Sequence, residues 1–241
     1  MNFIKTHKKD FIYCSIIVLL TAAAVVLGVF AFANKSSGAQ MSYYDKKCEV
    51  FEAENANFSR GQIVFIGDSI TDGCALDTYY GSLPLAAYNR GIGGDTTAGV
   101  LKRLDSSLIA LEPSKVVLLI GINDINSGVK TSEIVENYDK FLEKISSSLP
   151  NTEVFCVSIL PLNEDIEKYG VSVAKATETI LEVNTEIALL TEKHGCNYVD
   201  MFSVLADDNN RLPKEFSPDG IHLTDLGYRD YSSVIIYTLY K

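Results

Sequence analysis

The chain reads as a three-layer α/β/α sandwich, a doubly wound, flavodoxin-like fold with a five-stranded parallel sheet, preceded by one apolar amino-terminal helix. Three observations predict this. Residues 63–66 (IVFI) and 115–120 (KVVLLI) are apolar runs without polar alternation, as strands covered on both faces require. Between such runs the apolar residues take helical spacing: Ile134, Tyr138, Phe141, Leu142, Ile145 and Leu149, then Val173, Ala176, Ile180, Val183, Ile187 and Leu190. Strand and helix taking turns implies parallel pairing through right-handed crossovers, which puts helices on both faces.

The amino terminus is organised separately. Lys5, His7, Lys8 and Lys9 precede an uncharged apolar run over residues 11–33, followed by a polar Ser/Gly linker over 34–40. The run has the roughly 20 residues needed to cross a bilayer, more than the 7–15 of a signal-peptide core. It is therefore expected to be a single-pass signal anchor, with residues 1–10 cytoplasmic by the positive-inside rule and the rest of the chain outside. The competing expectation is secretion after cleavage near Ala33, because Ala31-Phe32-Ala33 has the small-x-small form of a cleavage site. Cys14 lies at the start of the run, where attachment of a lipid in the lipoprotein manner is not expected.

The whole chain of 241 residues carries a formal charge of -10 and a pI near 4.8, which argues against a nucleic-acid partner. Residues 1–33 hold three of the 21 Lys/Arg and one of the 31 Asp/Glu, leaving 18 basic and 30 acidic side chains, about -12, on the remainder. That remainder would not be drawn to anionic headgroups, so membrane attachment falls to the anchor. Cys48, Cys74, Cys156 and Cys196 allow three disulfide pairings that spacing does not distinguish, and Cys156, in an apolar run, reads as a small core residue. No His, Cys or carboxylate spacing suggests a metal, no cofactor is implied, and nothing in the sequence sets an oligomeric state.

Taken in order, residues 34–60 form the linker and an edge segment with a short helix, and 61–241 the α/β domain. The strand over 63–66 breaks into Gly67-Asp68-Ser69, delivering a hydroxyl to the carboxyl edge of the sheet, where open α/β sheets bind ligands. Residues 75–84, with Tyr79 and Tyr80, read as a helix and loop across the rim. A second strand at 86–89 ends in Arg90-Gly91-Ile92-Gly93-Gly94-Asp95-Thr96-Thr97, and Asp95 or Thr96 caps the helix carrying Val100, Leu104 and Leu108. The strand at 115–120 ends in Gly121-Ile122-Asn123-Asp124. Further strands are expected at 153–159 and 197–201, and a last helix, capped by Thr224, turns Tyr228, Tyr231 and Ile235 inward.

A hydroxyl nucleophile needs a base, and the chain has three histidines. His7 belongs to the cytoplasmic segment, and His194 in Lys193-His194-Gly195 has an ordinary structural use at a helix carboxyl terminus. His222 remains, three residues after Asp219 in Ser217-Pro218-Asp219-Gly220-Ile221-His222. Asp219 can accept a hydrogen bond from the imidazole Nδ1–H, fixing the tautomer that leaves Nε2 to receive the proton of Ser69. A turn of Gly, Asp and Ser serves as plain turn chemistry as well, and the weight comes from Ser69, Gly94, Asn123 and the Asp219–His222 pair falling at successive carboxyl-edge loops.

These blocks, GDSIT, NRGIGGDTT, GIND and DGIH, resemble those of the SGNH or GDSL hydrolases, and the resemblance covers most of the chain after Gln62. It implies Ser69 as nucleophile, His222 as base oriented by Asp219, and an oxyanion hole made by the Ser69 and Gly94 N–H groups and the Asn123 amide. The second block looks like the platelet-activating-factor acetylhydrolase-like branch, whose wording many carbohydrate acetylesterases share. Asp68 reads as structural, tying the turn to nearby N–H groups. The expected activity is a serine carboxylic-ester hydrolase acting on a short acyl ester, acetyl first, of an O-acetylated carbohydrate, with Tyr79 and Tyr80 as substrate-binding aromatics. A lysophospholipase or lipase of the same family is the alternative. A non-catalytic membrane-tethered binding domain, or an anion binder using the glycine turn, would leave Asp219 and His222 without a use.

Overall fold

The structure, a computed structural model, describes residues 41–241, so the apolar run at 11–33 lies outside the described residues. Among the described residues no helix is long and apolar enough to cross a membrane. Five parallel strands, β1 (Ile63–Gly67), β2 (Ala87–Gly91), β3 (Lys115–Leu119), β4 (Glu153–Val157) and β5 (Asn197–Val199), form one sheet in the order β2-β1-β3-β4-β5. The expected doubly wound sandwich is the one observed: β3, β4 and β5 end one or two residues early, β1 and β2 end one or two residues late, and β2 starts one residue late.

That order dictates the layers. The connection from β1 to β2 runs one way along the sheet and every later one runs the other way, so crossovers of one hand place their helices on opposite faces. On one face α4 (Thr97–Ser107), α6 (Thr131–Ser148) and α7 (Val173–Lys193) bury Val100, Leu104, Tyr138, Phe141, Ile180 and Val183 against Val64, Ile66, Val116 and Leu118. On the other, α3 (Leu76–Tyr80), α8 (Met201–Leu205) and α9 (Asp225–Leu239) bury Tyr80, Met201, Tyr231 and Ile235 against Ile63, Phe65, Val117 and Leu119. Successive residues of one strand therefore serve different layers, which explains why the strands read as unbroken apolar runs. Each fully buried Ile or Leu here contributes about 1.5–3 kcal/mol relative to exposure.

The edge segment forms α1 (Tyr43–Asn55), which lies against α4 through Tyr44 Oη to the Gly99 carbonyl (2.8 Å) and Asn55 Nδ2 to the Ser106 carbonyl (2.7 Å). It also covers Arg90, so that β2 continues to Gly91 instead of ending at Asn89. The guanidinium lies over the Phe51 and Phe58 rings (4.5 and 4.7 Å to the centroids) and reaches Glu54 at 2.8 Å and Asn55 at 3.0 Å. Cys48, Cys74, Cys156 and Cys196 are all free thiols, with Cys74 and Cys156 in the core, where burial pushes the Cys74 thiol up to about 12.

Candidate active site

The first strand ends where the connection direction reverses, between β1 and β3, and the residues that follow these two strands form the site. Asp68 caps the short helix α2 (Ser69–Asp72) by accepting from the Ile70 N–H at 3.0 Å, so Ser69 opens that helix with an N–H that has no partner within it. The other end of the helix is tied down from below. Asn89 on β2 donates to the Thr71 and Cys74 carbonyls (2.7 and 3.2 Å), and Tyr228 on α9 donates to the Ile70 carbonyl (2.7 Å).

Ser69 Oγ stands 2.9 Å from Nε2 of His222, whose Nδ1 stands 2.6 Å from Oδ2 of Asp219. The other oxygen of Asp219 accepts from the Ile221 and His222 N–H groups at 3.0 and 2.9 Å. Burial raises this carboxyl, but the hydrogen bonds from His222 and the two amides outweigh it and hold Asp219 below the usual carboxylate range. An ionised Asp219 accepts the Nδ1 proton, leaving Nε2 as the acceptor facing Ser69. Gly220 makes the short Asp219-to-His222 turn possible: its φ is +94°, and a Cβ there would lie 2.6 Å from the Ile166 nitrogen.

The second and third loops are locked by buried charge. Asp95 is buried and pairs with Nε of Arg103 at 2.8 Å, while the same guanidinium donates to the Arg90 carbonyl (2.8 Å) and the Gly67 carbonyl (3.0 Å). Thr96, and not Asp95, accepts from the Gly99 N–H and caps α4. Asn123, in the short helix α5 (Ile122–Asn126), donates one amide hydrogen to the Asp95 carbonyl at 2.8 Å, which fixes its side chain against the Gly93-Gly94 turn. Gly94 has φ +79° and open space where a Cβ would stand, so its backbone faces outward unobstructed. Asp124, beside Asn123, accepts from the Thr97 hydroxyl and N–H at 2.6 and 2.9 Å, tying β3's loop to the start of α4.

Asp68 is fully buried with one carboxylate oxygen unpaired among the described residues, and burial pushes it up to about 7. Asp68 also borders an apolar void of about 10 Å³ whose other walls include Ile70, Leu119, Ile159, Leu160 and Leu162.

The structure brings Ser69, Asp219 and His222 into hydrogen-bonded series and sets Gly94 and Asn123 in neighbouring loops. It corrects the expectation for Tyr80, which is 1% exposed and packs on Phe65 in the core. Tyr79 is half-buried, its hydroxyl donating to Asp225 at 2.8 Å and its ring beside Tyr228. His194 terminates α7 and meets Asp139 at 2.6 Å, the structural use expected of it. Sequence reading missed Arg103, Asn89, Gly220 and Asp72. Arg103 had a signal, since it interrupts the stripe of Val100, Leu104 and Leu108, and a charge on an apolar face requires a partner.

A flavodoxin-like sandwich with a Ser–His–Asp series at its switch point defines a hydrolase-type site on a parallel sheet. Residues 65–229 match the GDSL-like Lipase/Acylhydrolase family, and the chain belongs to it, an SGNH/GDSL hydrolase. The alpha1 subunit of platelet-activating factor acetylhydrolase IB from Bos taurus is 25% identical over 170 residues, 69% of this chain and 70% of its own length. A solved structure from Streptococcus pneumonia, described as that of a platelet activating factor, superposes with a TM-score of 0.76 at 29% identity, covering 90% of this chain and 99% of its own. A catalytic mutant of an acetylxylan esterase from Geobacillus stearothermophilus shares the fold at a TM-score of 0.62 and 19% identity, covering 76% and 95%.

Proposed function

We propose that this acylhydrolase is an extracytoplasmic serine esterase that removes a short acyl group, acetyl first, from an O-acylated carbohydrate. The observation that carries the reading is the 2.9 Å and 2.6 Å series from Ser69 through His222 to Asp219. Ser69 Oγ attacks the ester carbonyl carbon while Nε2 of His222 takes its proton. The carbonyl oxygen, now an oxyanion, receives hydrogen bonds from the Ser69 and Gly94 N–H groups and the second hydrogen of the Asn123 amide. The intermediate collapses to acyl-Ser69, and the alcohol leaves with the proton from His222. Water then repeats the sequence and releases the carboxylic acid.

A short acyl group is supported by the segment over residues 161–170: Pro161, Leu162 and Ile166 are buried in the core, while Glu164, Glu167 and Lys168 face solvent, so its exposed side is mostly polar. The likeness to an acetylhydrolase and to an acetylxylan esterase favours acetyl over the lipase alternative. Location outside the cytoplasm rests on the lysines and apolar run of residues 1–33, and protease added to intact cells should remove the domain.

A fluorophosphonate probe should label the wild-type domain and leave Ser69→Ala unlabelled. Turnover of p-nitrophenyl esters should peak at acetate or butyrate and fall by octanoate. Equal labelling of both proteins would remove the nucleophile assignment, and a rise toward octanoate would turn the reading to a lipase.

A further inference from the structure

Helix α1 lies ahead of the family match at residues 65–229, yet it is fastened to the catalytic turns through one carboxylate. Asp72, at the end of the Ser69 helix, accepts from the Tyr43 hydroxyl (2.6 Å) and from the Gly93 N–H (3.0 Å), and it pairs with Lys47 (2.7 Å). The next residue of α1, Tyr44, forms one wall of a cavity of about 390 Å³ whose other walls include Gly93, Gly94, Thr96, Ala98 and Lys102. The Lys102 ammonium stands 5.4 Å from the Tyr44 ring centroid and makes no ion pair among the described residues. Gly93 is at the inner end: a Cβ placed on it would lie 3.9 Å from the Ser69 Cβ, so the cavity opens within van der Waals reach of the nucleophile.

The cavity beside the Gly93-Gly94 turn, at about 390 Å³, falls within the roughly 300–1,000 Å³ of small-molecule sites and has room for the alcohol of an ester held at Ser69. We infer that Tyr44 and Lys102 build an alcohol-side subsite for a neutral, ring-sized polyol such as a pyranose, a refinement that rests on the esterase reading above. The aromatic ring offers an apolar face to the sugar's C–H groups, and the ammonium donates to its hydroxyls. The ligand is neutral because about -12 of charge beyond residue 33 opposes the approach of an anion.

The test compares kcat/KM on a monoacetylated methyl glucoside with that on methyl acetate, whose alcohol is too small to reach Tyr44. The wild type should prefer the glucoside ester, and Tyr44→Leu should lose most of that preference. Lys102→Gln should lose about three- to tenfold, the effect of one net hydrogen bond. Tyr44→Phe, which retains the ring and loses the hydroxyl's bonds to the Gly99 carbonyl and Cys48, should keep most of the preference, which separates stacking from a general loosening of α1. Gly93→Ala is a second check: its methyl would meet its neighbours at ordinary distances of 3.6 Å or more, yet would narrow the passage beside Ser69 and depress the sugar ester more than methyl acetate. A preference that is absent in the wild type, or the same in all variants, overturns the subsite while methyl acetate turnover leaves the esterase reading standing. Faster turnover of an acetylated methyl glucuronide than of the glucoside overturns the neutral assignment. Failure of the wild type on every ester overturns the esterase reading and the subsite with it.

Discussion

At the scale of single residues, the site divides into groups that react and groups that hold them. Asn123 donates to the Asp95 carbonyl with one hydrogen and has the other to give, so its amide is a fixed dipole beside the turn. Removing one oxyanion donor typically costs about 100- to 1,000-fold in turnover. Asn123→Ala should lower kcat by that order with an unchanged far-UV spectrum, and steady-state kinetics at saturating ester reads it directly. Asp68 makes a different prediction. Its carboxyl is raised from 3.8 to about 7 by burial, against the lowering effect of the Ile70 N–H. The folded chain thus keeps a proton that the unfolded chain has released, and stability attributable to Asp68 falls as pH rises from about 4 to about 7, then stays level. Asp68→Asn keeps the oxygen that caps Ile70 and removes the titration. Its melting temperature relative to wild type should rise through that window, and a difference that is flat in pH would assign the carboxyl no burial cost. Asp219 has the opposite sign, because its pKa is depressed and its contribution is lost as pH falls below the ordinary carboxylate value of 3.8. Ser69 and Asn123 were legible in the sequence because each follows an apolar run at a turn, Gly94 because glycines crowd its turn, and His222 because it remains after His7 and His194 are set aside and has Asp219 three residues before it. For Arg103 the stripe of Val100, Leu104 and Leu108 signalled only that a partner was needed; which one was not legible, because Asp95 lies eight residues upstream, outside the helix.

At the scale of elements, legibility follows length and periodicity. Helices α6 and α7 showed their faces over 18 and 21 residues, long enough for a stripe to repeat several times. Helix α3 has five residues, too few to reveal which side is buried, and Tyr80 was accordingly expected at the rim when it belongs to the core. Strand β2 was expected to end at Asn89 and continues to Gly91; a guanidinium is costly to bury, and Phe51, Glu54 and Asn55 of α1 together with Phe58 make the burial of Arg90 tolerable. The loop from Asp219 to His222 illustrates a constraint no periodicity reveals. Gly220 approaches residues 163–166 so closely that Gly220→Ala must both adopt a left-handed φ and push backbone aside. That substitution should cost about 2–4 kcal/mol of stability, measured by denaturant unfolding, from backbone strain and overpacking together. Activity below the melting transition should fall further than the folded fraction does, since the displaced segment carries the base.

At the scale of the whole molecule, the strand order decides where chemistry can occur, because only between β1 and β3 do the connections diverge and leave a crevice. Fold class was legible from the unbroken apolar runs at 63–66 and 115–120 and the helical periodicity between strands; the chain before residue 41 contributes a membrane expectation from composition alone. Arg103 joins these scales. One guanidinium holds the Asp95 turn, the carbonyl at the end of β1 and the carbonyl next to the end of β2. Heating cannot release the glycine turn while leaving the strand ends in place, since the same side chain secures both. The oxyanion turn thus belongs to the cooperative unit of the sheet and not to a locally melting rim. Loss of esterase activity on heating should coincide with loss of ellipticity at 222 nm. Arg103→Met, which leaves Asp95 buried without its partner, should bring both transitions down together by about 3–5 kcal/mol. An enzyme built this way has no warm, folded, inactive state to pass through: it works until it unfolds.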